Sequence, residues 1–277
     1  MTYTDENLRK LQLLQLKILL EVDRICKRHN IPYFLVGGTL IGAVRHQGFI
    51  PWDDDIDIGM LRENYEKFIQ ICASELSSDF FLQTKESDSY CAIPWAKLQL
   101  KGTKRLDAST ASTKTQCGID IDIFPYDNMP KYPVFQWIHS NICWMLRGLY
   151  VFKCGYTVLN RENSLKKKIG SGICKVLSFF LPKPVVSRMM DIHFQKYNRK
   201  NTGYVMNLSS AYSYQRECVR EGVVSEVTDL EFEGIMFPVP VKYHEYLTQV
   251  FGDYMQLPPE SERVAHAIVE LDFGKYS

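Results

Sequence analysis

Residues 35–58 read LVGGTLIGAVRHQGFIPWDDDIDI, a stretch that joins a glycine turn to four carboxylates within five positions. The apolar segment from Tyr33 to Val36 predicts a strand, and Leu40 to Val44 predicts a short helix after the turn. Glycines let backbone N–H groups approach a phosphate closely, and a helix start favours negative charge. We therefore predict that Gly37, Gly38 and Thr39 bind phosphate through backbone N–H groups and the threonine hydroxyl.

The acidic half of the stretch places carboxylates at alternate positions: Asp53, Asp55 and Asp57. In an extended strand these side chains share one face, whereas Asp54, Ile56 and Ile58 share the other. Carboxylates this close repel one another unless a cation neutralises them, and hard oxygen ligands suit Mg²⁺ or Mn²⁺. A solvated acidic turn is the structural alternative. The combination with the glycine turn and the intervening Arg45-His46 favours a metal site that binds substrate phosphates.

The residues from Gly38 to Ile58 resemble the signature of the LicD family, which is related to fukutin and fukutin-related protein within the nucleotidyltransferase-fold superfamily. Two later stretches extend the resemblance over most of the chain: GIDIDIFP at 118–125, and FGDYMQLPP at 251–259 with Arg263 and His266 beyond it. The resemblance implies an α/β (α+β) fold with a nucleotidyltransferase-like mixed sheet flanked by helices. It also implies transfer of a phospho-alcohol, typically phosphocholine from CDP-choline, onto a glycan.

The predicted elements follow the order expected for such a core. Helices are predicted at 5–29, 62–76 and 241–251, strands at 80–83 and 95–100, extended segments at 204–208 and 217–224, and a hairpin at 230–237. The polar segment 103–116 predicts a mobile loop near the site, and Asp127-Asn128 predicts a turn. We expect residues 1–277 to form a single catalytic domain with a helical insertion at about 133–200.

A second acidic alternation, in Gly118 to Pro125, places Asp120 and Asp122 on one strand face and three isoleucines on the other. The resemblance implies that a neighbouring strand supplies a third carboxylate to the metal site. Asp122 is the first choice for this ligand and Asp120 the alternative. The metal would then be held by Asp55, Asp57 and Asp122, while Asp122 accepts the proton of the attacking hydroxyl and Asp53 orients the ligands.

Four further residues are site candidates, and three of them have a structural alternative. Arg45 is placed for bidentate phosphate contacts, and His46 either positions the nucleotide or packs beside Trp52. Lys97 either binds phosphate or is an edge-strand lysine that discourages aggregation. His266 is a weaker candidate, with a surface histidine as the alternative.

The insertion is the most apolar part of the chain. Val134 to Phe152 contains one charged residue, Arg147, and Lys166 to Lys168 precede a second apolar run at 169–181. Prolines 182 and 184 precede a further predicted helix at 185–199. These helices form either a buried bundle or a pair lying on a membrane surface beside the basic run.

Composition narrows the function classes. The net charge of +1 argues against a nucleic-acid groove. Eight scattered cysteines without a Cys-x-x-Cys pair argue against a zinc knuckle. Because no signal peptide is recognised, we expect free thiols and a cytoplasmic location, with the inner face of the membrane as the more specific alternative.

Three functions remain at this stage. The first is a Mg²⁺-dependent or Mn²⁺-dependent transferase that moves phosphocholine from a CDP-alcohol donor to a glycan or lipid-linked glycan. The second is a nucleotidyltransferase that moves a nucleoside monophosphate to a small acceptor. The third is a non-catalytic nucleotide-binding or scaffold protein. The first releases CMP and the second pyrophosphate, whereas the third shows no metal-dependent turnover.

Overall fold

The sheet is organised around β6, the longest described strand. Its isoleucines are fully buried against helix α1. The computed structural model describes residues 3–108, 110–156 and 165–277, and the side chains of 165–169, 171 and 173 lie outside that description. The first half of the chain contains α1 (Asp5–His29), β1 (Phe34–Leu35), α2 (Gly37–His46), β2 (Asp57–Leu61), α3 (Arg62–Glu75), β3 (Phe80–Gln83), β4 (Ala96–Leu100), β5 (Lys104–Asp107) and β6 (Ile119–Asn128).

The second half begins with the insertion and returns to the sheet. Its elements are α4 (Pro133–Lys153), α5 (Leu165–Phe180), α6 (Lys183–Phe194), β7 (Tyr204–Met206), α7 (Tyr214–Glu217), β8 (Val219–Arg220), α8 (Glu221–Val224), β9 (Val227–Phe232), β10 (Ile235–Pro240), α9 (Tyr243–Phe251) and β11 (Ile268–Asp272). Helices α4, α5 and α6 lie between β6 and β7, within the segment 133–200 for which a helical insertion is predicted.

The main sheet has the order β1-β2-β6-β4-β3, and β7 pairs with the far end of β6. Strands β2 and β6 are parallel, whereas the other pairs are antiparallel, so the sheet is mixed. Helix α1 covers one face with buried Leu11, Ile18 and Val22. The predicted fold class, a mixed sheet flanked by helices, is therefore confirmed.

The predictions with strong local patterns are confirmed. Thr4 caps α1 by accepting a hydrogen bond from the Asn7 backbone N–H at 3.2 Å, and Asn30 ends the helix in the left-handed region. The hairpin turns at Glu233 and Gly234, which both have positive φ, as a tight two-residue turn between antiparallel strands requires.

Several predicted segments differ from the structure. The expected loop 103–116 contains β5, which pairs with the C-terminal strand β11, a strand that the sequence did not indicate. Asp127 and Asn128 belong to β6 rather than to a turn. In the expected extended segment 217–224, Val219 and Arg220 form the short strand β8, whereas Glu221 to Val224 form helix α8, with Val223 and Val224 buried. The predicted helix 185–199 ends at Phe194.

The insertion has an apolar cluster of its own. Helix α4 packs against α5 and α6 through buried residues that include Leu146, Tyr150, Val186 and Met190. Within the described ranges, no helix is both long enough and apolar enough to cross a bilayer. The predicted basic run, Lys166 to Lys168, belongs to α5 by its backbone, and its side chains lie outside the described part of the structure.

Candidate active site

The glycine turn lies directly against the acidic stretch. A Cβ atom on Gly37 would lie 2.7 Å from Asp57 Oδ2, and one on Gly38 would lie 2.5 Å from Asp53 Oδ2. Gly37 also has a φ of +59°, which disfavours other residues. The Thr39 hydroxyl accepts a hydrogen bond from the Asp57 backbone N–H at 2.8 Å, which holds the start of α2 against β2. Glycine at both positions therefore makes room for the carboxylates.

Asp57 and Asp122 are register partners on the neighbouring parallel strands β2 and β6. Asp53 and Asp55 precede β2, which begins only at Asp57, so the expectation that a strand aligns all three alternate acids is wrong. The backbone turns before β2, where the Asp53 N–H donates to the Ile50 carbonyl at 2.9 Å. The Asp54 side chain nevertheless lies apart from the other three carboxylates and is buried.

The cluster of Asp53, Asp55, Asp57 and Asp122 carries more negative charge than the neighbouring cationic side chains neutralise. Burial raises the pKa of Asp57, and the charges of Asp55, Asp122 and Asp53 raise it further. Burial likewise raises the pKa of Asp53, with Asp55 as the next cause. Burial also raises the pKa of Asp122, although Lys97 opposes that shift. An oxygen-only donor set with unmatched charge fits a hard divalent cation.

Asp120 and Asp122 differ in their partners. Asp122 lies beside Asp57 and accepts a hydrogen bond from the Trp95 indole N–H at 2.5 Å. Lys97 lies 3.0 Å from Asp120 and 3.3 Å from Asp122, whereas Arg105 forms an ion pair with Asp120, at 3.4 Å. The charge of Asp120 is thus matched within the protein, and its place in β6 lies one pleat beyond Asp57. This arrangement favours Asp122 as the third metal ligand, which remains a prediction.

Asp54 belongs to a buried polar network beneath the motif. It accepts hydrogen bonds from the Tyr3 hydroxyl at 3.0 Å, from Arg105 at 2.8 Å and from His266 Nδ1 at 2.8 Å. Burial alone would raise the pKa of Asp54, but the hydrogen bond with His266 and the charge of Arg105 bring it below its ordinary value. Ligand atoms of Asp54, Asp55 and His266 lie within 4.8 Å of one another, but Asp54 already has these donors. We therefore assign Asp54 a structural role rather than a role in metal binding.

Lys97 lies on β4, which is an interior strand between β3 and β6. The edge-strand interpretation of Lys97 is therefore wrong. Its ammonium group lies 3.0 Å from Asp120 and 3.3 Å from Asp122, so it bridges the two acids of β6. Burial lowers the pKa of Lys97, but these two carboxylates outweigh burial and raise it, which keeps the lysine charged.

Comparisons with known proteins identify the family of this chain. Residues 30–149 match the family model described as LicD/FKTN/FKRP, nucleotidyltransferase domain. Lipopolysaccharide cholinephosphotransferase LicD of Haemophilus influenzae is 35% identical over 273 residues, which cover 95% of this chain and 97% of that protein. This chain belongs to the LicD family. Human ribitol 5-phosphate transferase FKRP is 42% identical over a shorter stretch of 49 residues, 18% of this chain and 10% of that protein.

In this LicD-family chain, Arg45 holds the C-terminal segment near the motif. Its Nη1 donates to the carbonyl groups of Tyr254 at 2.8 Å and Gln256 at 3.4 Å, so one edge of the guanidinium is already used. Burial lowers the pKa of Arg45, and the nearby charge of Arg263 lowers it further. His46 lies edge-on to Trp52 with ring centroids 6.5 Å apart, and burial lowers its pKa. The phosphate-binding roles of Arg45 and His46 remain predictions.

Two features of the LicD-family site went unnoticed in the sequence. Arg105 is buried and bonds both Asp54 and Asp120, yet it lies in the segment expected to be a loop. The available signal was the strand alternation, which placed Asp54 on the aliphatic face, where a buried acid requires a buried donor. Trp95 lies at the start of the strand predicted at 95–100, but its hydrogen bond to Asp122 depends on the register between β4 and β6.

Proposed function

We propose that this protein transfers phosphocholine from CDP-choline to a sugar hydroxyl of a cell-surface glycan or its lipid-linked precursor. The similarity to a lipopolysaccharide cholinephosphotransferase over nearly the whole of both chains carries this proposal. The acidic cluster beside the glycine turn supports it, because transfer between phosphate esters requires a site that concentrates cations and phosphates. In the reaction the sugar oxygen attacks the choline-bearing phosphorus, the bond to CMP breaks, and CMP leaves.

We assign Asp55, Asp57 and Asp122 to a bound Mg²⁺ or Mn²⁺. The fit rests on the oxygen-only donor set and on the raised pKa values of Asp57 and Asp122, which show that burial and neighbouring charge disfavour ionisation there. Such a cation, when bound, supplies the positive charge that offsets the donor pyrophosphate. In this proposal Asp122 also acts as the carboxylate that accepts the proton of the attacking hydroxyl.

The remaining roles in our proposal follow from position. The backbone N–H groups of Gly37, Gly38 and Thr39 begin the ten-residue helix α2 and bind phosphate at its positive end. Arg45, His46 and Lys97 act as further phosphate or nucleotide ligands, with Lys97 also holding Asp122 in place. Asp53 lies against Gly38 and orients the metal ligands.

We further propose that the protein works at the inner face of the membrane and that the insertion contacts lipid there. Residues 133–200 contain twelve Lys or Arg and two acids, whereas the whole chain has a net charge of +1. Side chains such as Phe179 and Phe180, 82% and 73% exposed, present apolar surface on α5. Basic residues beside exposed aromatics suit an anionic lipid surface, which would also carry a lipid-linked acceptor.

The test is ³¹P NMR of the purified protein with Mg²⁺, a sugar acceptor and a panel of CDP-alcohols. We expect consumption of CDP-choline, release of CMP and a new phosphodiester signal, all lost when EDTA is added. Release of pyrophosphate from a nucleoside triphosphate instead would identify a nucleotidyltransferase. Preference for another CDP-alcohol would overturn the choline assignment.

A further inference from the structure

A cavity of about 400 Å³ lies between the carboxylate-bearing face of the sheet and helix α4. Asp120 and Lys97 form part of its wall, so it adjoins the acidic cluster. Its lining includes four aromatic side chains: Trp95, Trp144, Phe152 and Tyr156. Trp95 belongs to both places, because its indole N–H donates to Asp122 while the side chain lines the cavity. A group in this cavity therefore lies one side chain away from the proposed metal ligand.

The uncharged polar residues of the cavity wall are largely bonded to one another. Gln83 Nε2 donates to Asp88 at 2.8 Å and to Thr115 at 3.0 Å, and Gln99 donates to Gln83 Oε1 at 2.8 Å. Lys97 is paired with the acids of β6. These side chains hold the wall together, so few of their donors and acceptors remain for a ligand. Such a cavity suits a ligand group that makes no hydrogen bonds.

The Ser209 hydroxyl and Asp107 are the exceptions in the wall, and Asp107 is the charged one of the two. Its Oδ1 atom is buried and has no hydrogen-bond partner among the described residues. Arg105 is close enough to interact with its charge, but the Arg105 guanidinium is bonded to Asp54 and Asp120. A buried carboxylate oxygen without a donor is costly unless a cation approaches it. A quaternary ammonium fits this position, because it carries positive charge and has no N–H to donate.

We propose that this cavity binds the quaternary ammonium head of the donor alcohol, with aromatic faces around the methyl groups and Asp107 as the counter-charge. This assignment rests on the proposed function and explains how such a donor is selected. The ammonium enters the cavity past Trp95 while the phosphates stay at the acidic cluster. Cation–π contact and an unbonded carboxylate together distinguish choline from a neutral alcohol of similar size.

The rival occupant of the cavity is an anion. Arg147 also lines it, and its Nη1 donates to the carbonyl groups of Ser209 and Ser210 rather than to a carboxylate. Burial lowers the pKa of Arg147 to about 10. The two occupants predict different effects of neutralising the charged wall residues. A choline site should bind more weakly when Asp107 loses its charge, whereas an anion site should bind more weakly when Arg147 loses its charge.

The test measures tryptophan fluorescence of the metal-free protein during titration with choline chloride and, separately, with tetramethylammonium chloride or inorganic phosphate. We expect Asp107→Asn to weaken choline binding about tenfold, since cation–π and charge contacts of this kind are worth about one decade. Trp144→Leu should weaken it as well. Asp229→Asn, which changes an exposed acid on β9, should leave it unchanged. Unchanged binding by Asp107→Asn, or phosphate binding that Arg147→Gln abolishes, would overturn the proposal.

Transfer assays separate this proposal from the proposed function. With both correct, Asp107→Asn lowers kcat/KM for CDP-choline but not for the neutral donor CDP-glycerol. If the wild type transfers phosphocholine and Asp107→Asn does so equally well, the cavity assignment fails and the function stands. If the wild type binds choline through Asp107 but transfers no phosphocholine, the function fails and the cavity assignment stands.

Discussion

Asp54 and Asp55 are adjacent in the chain, but their carboxyl groups have opposite surroundings. Asp54 is 1% exposed and bonds Tyr3, Arg105 and His266. Asp55 is partly exposed and adds its charge to those of Asp53 and Asp57. The repeated aspartates therefore divide between two roles. Asp54 stabilises the fold beneath the motif, whereas we propose that the others serve the metal.

The first prediction concerns the metal ligands. Asp55→Asn and Asp57→Asn should each lower Mg²⁺-dependent transfer at least about a hundredfold while the protein stays folded. Asp57→Asn should also raise the thermal midpoint of the metal-free protein, because it removes repulsion in a buried cluster. Transfer assays and thermal melts with and without Mg²⁺ measure both effects. Near-native turnover of either variant at saturating donor would refute the assignment.

The second prediction separates Asp122 from Asp120. Asp122→Asn should lower kcat by at least about a hundredfold, the lower range for losing a general base, with little loss of stability. Asp120→Asn should keep more activity per folded molecule but destabilise the protein, because it weakens the pairing of the buried Lys97 and Arg105. Urea unfolding and steady-state kinetics test the pair. The reverse ranking of kcat would move the third ligand to Asp120.

The third prediction concerns pH. Glu217 is 3% exposed, and burial raises its pKa to about 7 although Ser210 donates a hydrogen bond to it at 3.0 Å. Because the folded pKa exceeds the unfolded value, stability present below about pH 4.5 is lost as the pH rises to about 7. Over this pH range the free energy of unfolding should fall by about 3 kcal/mol. At pH 8, Glu217→Gln should have a higher free energy of unfolding than the wild type. Glu226→Gln, which changes an exposed glutamate, should have the same free energy of unfolding as the wild type. Equal pH dependence of Glu217→Gln and wild type would contradict this.

At the scale of elements, one buried ion pair joins helix α3 to strand β6. Arg62 donates to both oxygens of Asp127 at 2.7 and 2.6 Å, and the Asp127 side chain is fully buried. Asn198 Nδ2 also donates to Asp127 at 2.6 Å, which connects the segment after α6 to the same point. The pair therefore fixes how β6 meets the residues that follow the insertion.

The fourth prediction tests this connection. Asp127→Asn should destabilise the protein by about 3–5 kcal/mol, because it leaves the buried Arg62 charge without its partner. The matched control is Glu270→Gln in the exposed pair that Lys104 and Glu270 form at 2.7 Å, which should change stability by less than about 1 kcal/mol. Urea denaturation monitored by circular dichroism gives both values. A loss below that of the control would show that the pair is not needed.

At the scale of the whole molecule, apolar exposure is concentrated on the insertion. More than half of the exposed large apolar side chains in the described part of the chain lie between Tyr132 and Ile192. The same region carries the excess of Lys and Arg, so the rest of the chain has a net negative charge. We propose that this division of charge along the chain favours contact between the insertion and an anionic bilayer.

The fifth prediction is flotation of the protein with anionic liposomes at low salt. Phe179→Ser with Phe180→Ser, or Gln at all of Lys166, Lys167 and Lys168, should reduce flotation, and added salt should reduce it in the wild type. The control Met236→Ser with Val264→Ser removes exposed apolar side chains elsewhere and should float like the wild type. Wild-type protein that stays in the soluble fraction at every salt concentration would exclude lipid contact.

The sequence by itself determined the elements whose signal is local. Helix α1, the β9–β10 hairpin and the burial of the β6 isoleucines follow from apolar spacing and turn residues within a few positions. The glycine turn and the alternating aspartates also indicated the family, and they predict a candidate site. These features depend on neighbours in the chain, which a sequence displays directly.

Only the tertiary structure decided the partners of the buried charges. Asp54 meets Arg105 and His266 across 51 and 212 positions, and Arg62 meets Asp127 across 65. Strand β5 pairs with β11 from the other end of the chain, and the cavity beside Asp107 needs the sheet and α4 together. No local pattern specifies such contacts, because each free energy depends on burial and charge that exist only after distant segments pack.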